Sequence, residues 1–169
     1  IDVVVNTQPD AIAFVYTPVY KLENWQLLYV NEVYILYVRN DKINSFPVDI
    51  SKIHPELPDN LKYKKEDETE AVSQLEKLME FDPKNGFARD QLIQYYIDVE
   101  KNMEKAKKLA EESRLLLSHD PKYPLHLANI YVKENNCFQA LEFKKEAMSK
   151  SFNHPIYKNI ADSVTRQCN

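Results

Sequence analysis

The four histidines of this chain, His54, His119, His126 and His154, come first because imidazole is the side chain that titrates near neutrality. His54, His119 and His154 stand beside prolines or in turns, where capping or solvation is the expected role. His126 follows His119 by seven residues across a helix break, which is not metal-ligand spacing. The run Glu66-Asp67-Glu68 suits a helix N-terminus, where carboxylates interact favourably with the helix dipole, better than acid–base catalysis. Glu100 to Lys108 mixes both signs and reads as a solvated face. Cys137 and Cys168 have neither CxxC spacing nor a metal-ligand pattern nearby, so buried free thiols are expected. The alternative is a disulfide that ties the last helix down, which requires an oxidising compartment.

The tyrosines raise carbohydrate stacking, since aromatic rings hold sugars. Tyr29, Tyr34, Tyr37, Tyr95, Tyr96, Tyr123 and Tyr131 mostly occupy strand or helix core positions, so packing is the expected role. The sequence contains one glycine, Gly86. Glycine is what lets a backbone approach phosphate or form a nucleophile elbow, so Gly-rich nucleotide motifs are excluded. No catalytic residue, metal site or cofactor site is expected.

The elements that would position any site divide into two kinds. The 169 residues carry 22 basic and 26 acidic side chains, a net charge of −4, which argues against a nucleic-acid surface. At 44% hydrophobic and 28% charged the composition is that of a globular protein. No apolar run reaches the ~18 residues that span a bilayer. The first residue is Ile1 rather than Met, so a piece of a longer chain is expected, with any membrane tether outside it.

Before about residue 60, β-branched and aromatic residues dominate. Asp2 to Asn6, Ala11 to Tyr16, Trp25 to Val30 and Val33 to Arg39 read as strands. Asn31-Glu32 supplies turn chemistry for a hairpin between the last two. Alternation puts Trp25, Leu27 and Tyr29 on one face and Gln26, Leu28 and Val30 on the other; both are apolar enough to be covered. Pro47, Pro55 and Pro58 make residues 40 to 62 a connector lying over the surface of a neighbour.

From about Asp67 apolar residues recur every three or four positions, the helical period. The spacing predicts helices from Asp67 to Asp82, Phe87 to Val99, Met103 to Ser118, Pro124 to Lys133, Phe138 to Ser151 and Ile156 to Gln167. In the last, Ile156, Ile160 and Val164 are expected inward. These helices repeat. Leu92, Ile93 and Tyr96 align with Leu127, Ala128 and Tyr131, Ala106 aligns with Ala140, and Asp120-Pro121 aligns with His154-Pro155. The period is 34 to 35 residues, with one extra residue in the earlier turn.

Residues 67 to 169 thus resemble the tetratricopeptide repeat (TPR) family, with its Leu, small residue, Tyr, then Ala, then Pro pattern and ~34-residue period. Ile93 replaces the small residue of that pattern, Ser113 stands where its later Ala is expected, and Pro121 and Pro155 come about three residues late. The resemblance implies stacked helix pairs with a concave groove that takes a protein or peptide. Its groove positions map to Phe87, Asp90, Gln94 and Asp98 in one repeat and Leu125, Asn129 and Lys133 in the next. Asn129 matches an asparagine that grips ligand backbone in many such proteins. The basic residues of a carboxylate clamp are missing, with Leu125, Asp90 and Gln94 in their place.

A looser resemblance covers residues 10 to 40. The stretch from Trp25 to Arg39 is similar to a hairpin in the soluble C-terminal region of bacterial multi-pass membrane glycosyltransferases of the protein-mannosyltransferase type. It implies a location outside the cytoplasmic membrane, with catalysis elsewhere in the parent chain. Without it, the cytoplasm is expected.

The expected fold is α+β. A small N-terminal β-sheet unit with a proline-containing connector occupies residues 1–60, and a TPR-like α-helical repeat array with a C-terminal cap helix occupies residues 61–169. The sheet is expected to cap the array, which lacks a first helix. The expected function is non-catalytic protein or peptide binding. The alternative is an accessory domain of a membrane glycosyltransferase. An independent enzyme, with its site between sheet and repeats, ranks third.

Overall fold

The computed structural model describes residues 3–7, 24–31, 34–42, 48–55, 61–152 and 154–168. The fold is α+β, a small antiparallel sheet followed by six helices. Strands β1 (Val3–Thr7), β2 (Trp25–Val30) and β3 (Tyr34–Arg39) are arranged in the order β1-β3-β2. The helices are α1 (Glu68–Phe81), α2 (Gly86–Asp98), α3 (Met103–Leu116), α4 (Lys122–Lys133), α5 (Cys137–Lys150) and α6 (Pro155–Gln167). The apolar run Ala11 to Tyr16 lies outside the described residues. The chain parts into two compact units, residues 1–91 and 92–169. The boundary between these units falls inside α2.

In the N-terminal unit the hairpin closes through Asn31, whose Oδ1 accepts the Tyr34 N–H at 2.7 Å. Strict alternation along β2 does not hold. Leu27 pairs with Tyr37 and Tyr29 with Leu36, so Leu28 is an extra, bulged residue. A bulge resets the two-residue period. Leu27 and Val30 therefore share one buried face with Ile35 and Tyr37, while Tyr29 lies opposite Leu36 on the other. That second face is only half-buried at Tyr29 and Leu36, and Tyr34 is exposed.

The described part of the connector is not a surface layer. Val48, Ile50 and Ile53, and Tyr63 just after it, are buried and join the core. Two buried glutamines peg its backbone. Gln74 Oε1 in α1 accepts the Lys52 N–H at 2.8 Å, and Gln91 Oε1 in α2 accepts the Lys62 N–H at 2.7 Å. Irregular backbone survives burial only with such partners. Asn85, fully buried, performs two tasks at once. Its Oδ1 accepts the Ala88 N–H at 2.9 Å and caps α2, while its Nδ2 donates to the Val30 carbonyl at 2.8 Å.

The C-terminal unit carries two turns built alike. Asn102 caps α3 by accepting the Lys105 N–H, and Asn136 caps α5 by accepting the Gln139 N–H. Each asparagine follows a left-handed residue, Lys101 at φ 57° and Asn135 at φ 58°. Ala106, Ser113, Ala140 and Ala147 are all buried, so small side chains let these helices approach their neighbours. A ladder of flat groups ties α3, α4 and α5 together. The Lys107 ammonium sits 4.0 Å from the Tyr131 ring centroid, Tyr131 stacks on Phe143 at 5.5 Å, and Arg114 lies against Phe143 at 5.5 Å.

Helix α6 covers α4 and α5. Ala161 packs with Leu125 and Ala147, and Val164 with Ala128 and Ala140; Tyr157 and Ile160 fill in beside the first cluster. The inward face is thus Tyr157, Ile160, Ala161 and Val164, and Ile156 is 54% exposed rather than inward. The helix rotation has a covalent cause as well as a packing one. Cys137 and Cys168 form a disulfide, with Cα atoms 5.4 Å apart, in place of two free thiols. Residues 157, 161, 164 and 168 lie four, three and four apart, on one helical line, which the bond turns toward α5.

Candidate binding face of helix α4

Helix α4 is enclosed on most of its circumference. Tyr123, Pro124, Leu125, Leu127, Ala128 and Ile130 are buried. Of the rest, Tyr131 and Val132 are partly buried beside the Ala128–Ala140–Val164 cluster, and Lys122, His126, Asn129 and Lys133, spaced four, three and four apart, lie on one line facing solvent. Lys133 is exposed and the other three are partly so. This line carries amide and cationic groups and no carboxylate. The adjacent Glu134 turns toward α3, where its carboxylate lies 3.5 Å from Lys107. Contact with Tyr131, then the charge of Glu134, holds Lys107 above the usual lysine range. At the start of the line Lys122 Nζ is 3.7 Å from Asp120, which also accepts the Lys122 N–H.

The groove residues expected from the repeat resemblance are shared between the two compact units. Phe87 and Asp90 belong to the N-terminal unit, and Gln94, Asp98, Leu125, Asn129 and Lys133 to the C-terminal unit. Phe87 is 7% exposed and Leu125 3%, so both side chains are buried in packing. Leu125 is drawn against Ala147 and Ala161 because α6 covers that side of α4. Asp90 and Gln94 are partly exposed and Asp98 is exposed. Asn129 and Lys133 stay on the solvent line. His126 and Lys122 join them, and the helical period signals both once α4 starts at Lys122 instead of Pro124.

A depression of about 330 Å3 lies along α5, lined by Gln139, Glu142, Phe143, Lys145, Glu146 and Ser149. Its chemistry is already committed. Glu146 accepts from Arg114 at 3.2 Å and from Lys150 at 2.6 Å. Burial pushes the Glu146 carboxyl up, but these two cations outweigh it and hold the group below the usual range. Phe143 is engaged by Tyr131, which stacks on it, and by the Arg114 guanidinium, 5.5 Å from its ring. Among the described residues no group of three or more His, Cys, Asp or Glu is placed to hold a metal ion, and no helix is long and apolar enough to cross a membrane.

No protein-family model, no curated protein and no solved structure matches this chain.

Proposed function

We propose that this chain is a non-catalytic binding module whose TPR-like helix pairs present an extended protein or peptide ligand to the outer line of α4. The observation that carries the reading is the alignment of Lys122, His126, Asn129 and Lys133 on one line of a helix whose other residues are buried or packed against neighbouring helices. The like construction of the turns at Asn102 and Asn136 supports the repeat geometry. An amide that grips ligand backbone, with the Lys133 ammonium one turn further along the same line, suits an acidic segment. The test is an array of extended peptides of graded charge probed with the purified chain. Acidic peptides are retained, and Asn129→Ala and Lys133→Glu each weaken capture about tenfold, the scale of one or two charge-assisted hydrogen bonds. Capture that ignores both substitutions moves the site off α4.

A second reading, an extracytoplasmic accessory domain of a membrane glycosyltransferase, is favoured by the Cys137–Cys168 disulfide, since such bonds persist in oxidising compartments. Its test is alkylation in intact cells of origin. Thiols that react with a maleimide at once, without prior reduction, count against it.

A further inference from the structure

We propose that α6 is an exchangeable element: when the Cys137–Cys168 bond is reduced, α6 of one chain occupies the seat of α6 on a second copy. Three separate features carry this. The first is the seat. The buried face of α6, Tyr157, Ile160, Ala161 and Val164, packs on Leu125, Ala128, Ala140 and Ala147 of α4 and α5. Lys144 Nζ adds one polar tie by donating to Thr165 Oγ1 at 2.6 Å. A second copy carries the identical seat, so the partner needs no new complementarity.

The second feature is the latch. The disulfide joins the first residue of α5 to the residue after α6, which closes the helix over its seat at the end distant from the α5–α6 turn. Both cysteines are partly exposed, within reach of a small dithiol. A dithiol thiolate attacks one sulfur and forms a mixed disulfide, and its second thiol displaces the other cysteine. Two electrons and two protons pass to Cys137 and Cys168, and the dithiol leaves as its own disulfide.

The third feature is the hinge. Phe152, at the α5–α6 turn, has φ 48° and is 96% exposed. A left-handed aromatic residue is strained, and here no side-chain burial offsets the strain. The turn is held at its start by Ser151, which is buried and donates to the Met148 carbonyl at 3.2 Å. Straightening the chain after Ser151 relieves Phe152 and carries α6 away. A helix of 13 residues does not persist alone in water. Once released it must find a seat, and the seat on a second copy lets the hinge stay open.

The experiment mixes two full-length variants, Cys137→Ser and Cys168→Ser, at high concentration and re-oxidises them. In an exchanged dimer the remaining Cys168 of one chain lies beside the remaining Cys137 of the other. A covalent heterodimer on a non-reducing gel, absent when each variant is oxidised alone at the same concentration, is the expected result. Unmodified protein treated with dithiothreitol forms a dimer by light scattering, and Phe152→Gly, which relieves the hinge, lowers the dimer fraction several-fold. A mixture that stays without the heterodimer overturns the proposal, whether circular dichroism shows the helices kept or lost.

Discussion

Asn85 concentrates more of the N-terminal unit than any charged pair does, because one amide satisfies a helix end and a strand end together. Replacing it with alanine removes a cap and strands the buried Val30 carbonyl. The two losses sum to about 2–3 kcal/mol. Asn85→Ser keeps the cap and costs about half as much, measured as the shift in denaturant midpoint. Tyr29 makes a different kind of contact. Burial, then its 2.6 Å hydrogen bond to Asp82, pushes its phenol from 10.0 up to about 12. The folded state thus prefers the protonated phenol. The stability this supplies is complete below pH 10.0 and is lost as pH rises toward about 12. A phenolate absorbance titration of Tyr29→Phe against the parent identifies that late step, and identical curves dismiss it. Left-handed residues give a third prediction. Lys101 takes the position after a helix where glycine is usual. Lys101→Gly raises stability by about 0.5–1 kcal/mol, the cost of a Cβ in that conformation less the added freedom of the unfolded chain.

The helices were legible because apolar residues recur every three or four positions, and all six begin and end within two residues of the sequence expectation. What escaped was rotation and exception. Leu28 carries no mark of a bulge, since Leu fits either face of a strand, yet it shifts Tyr29 away from Leu27. Leu125 and His126 are neighbours on α4, and only the position of α6 decides which turns inward. Ile156 reads as core by type and faces solvent because the line through Tyr157, Ala161, Val164 and Cys168 wins. The connector misled through its prolines, which forbid a helix but not burial; Gln74 and Gln91 satisfy its backbone from positions no local pattern reveals. On the solvent-facing line of α4, Asn129 and Lys133 were named by resemblance and His126 was not. Two element-scale effects can be measured. Joining residues 31 apart in sequence stabilises the C-terminal unit by about 3.5 kcal/mol in the loop-entropy account. Hydrogen exchange of α6 in the double serine variant should accelerate first. Glu146→Gln loosens the Arg114 and Lys150 pairs and costs about 1 kcal/mol, discounted for partial exposure. With its carboxyl held low, that contribution is present above the ordinary glutamate range and fades as pH falls through the depressed value.

The two compact units predict separable behaviour for the whole molecule. The sheet, the connector, α1 and the start of α2 form one body through Val30–Asn85, Lys52–Gln74 and Lys62–Gln91. Removing residues 1–60 strips partners from Gln74 and Asn85 and should abolish exchange protection in α1. Amides of α3 to α6 should keep theirs, since the small-residue clusters and the disulfide lie within the C-terminal unit. Protection lost throughout would show instead that the sheet supports the array as well.

The glutamine pegs also set a timetable. Ile50 and Ile53 leave the ribosome long before Gln91, the last residue of their unit, is added. At bacterial to eukaryotic elongation speeds the 38 residues between Ile53 and Gln91 take roughly 2–8 s to synthesise. For that interval an apolar, proline-interrupted segment waits for the second of the two amides that hold its backbone, Gln91 on Lys62, so the nascent N-terminal half is the part of this protein most in need of a chaperone.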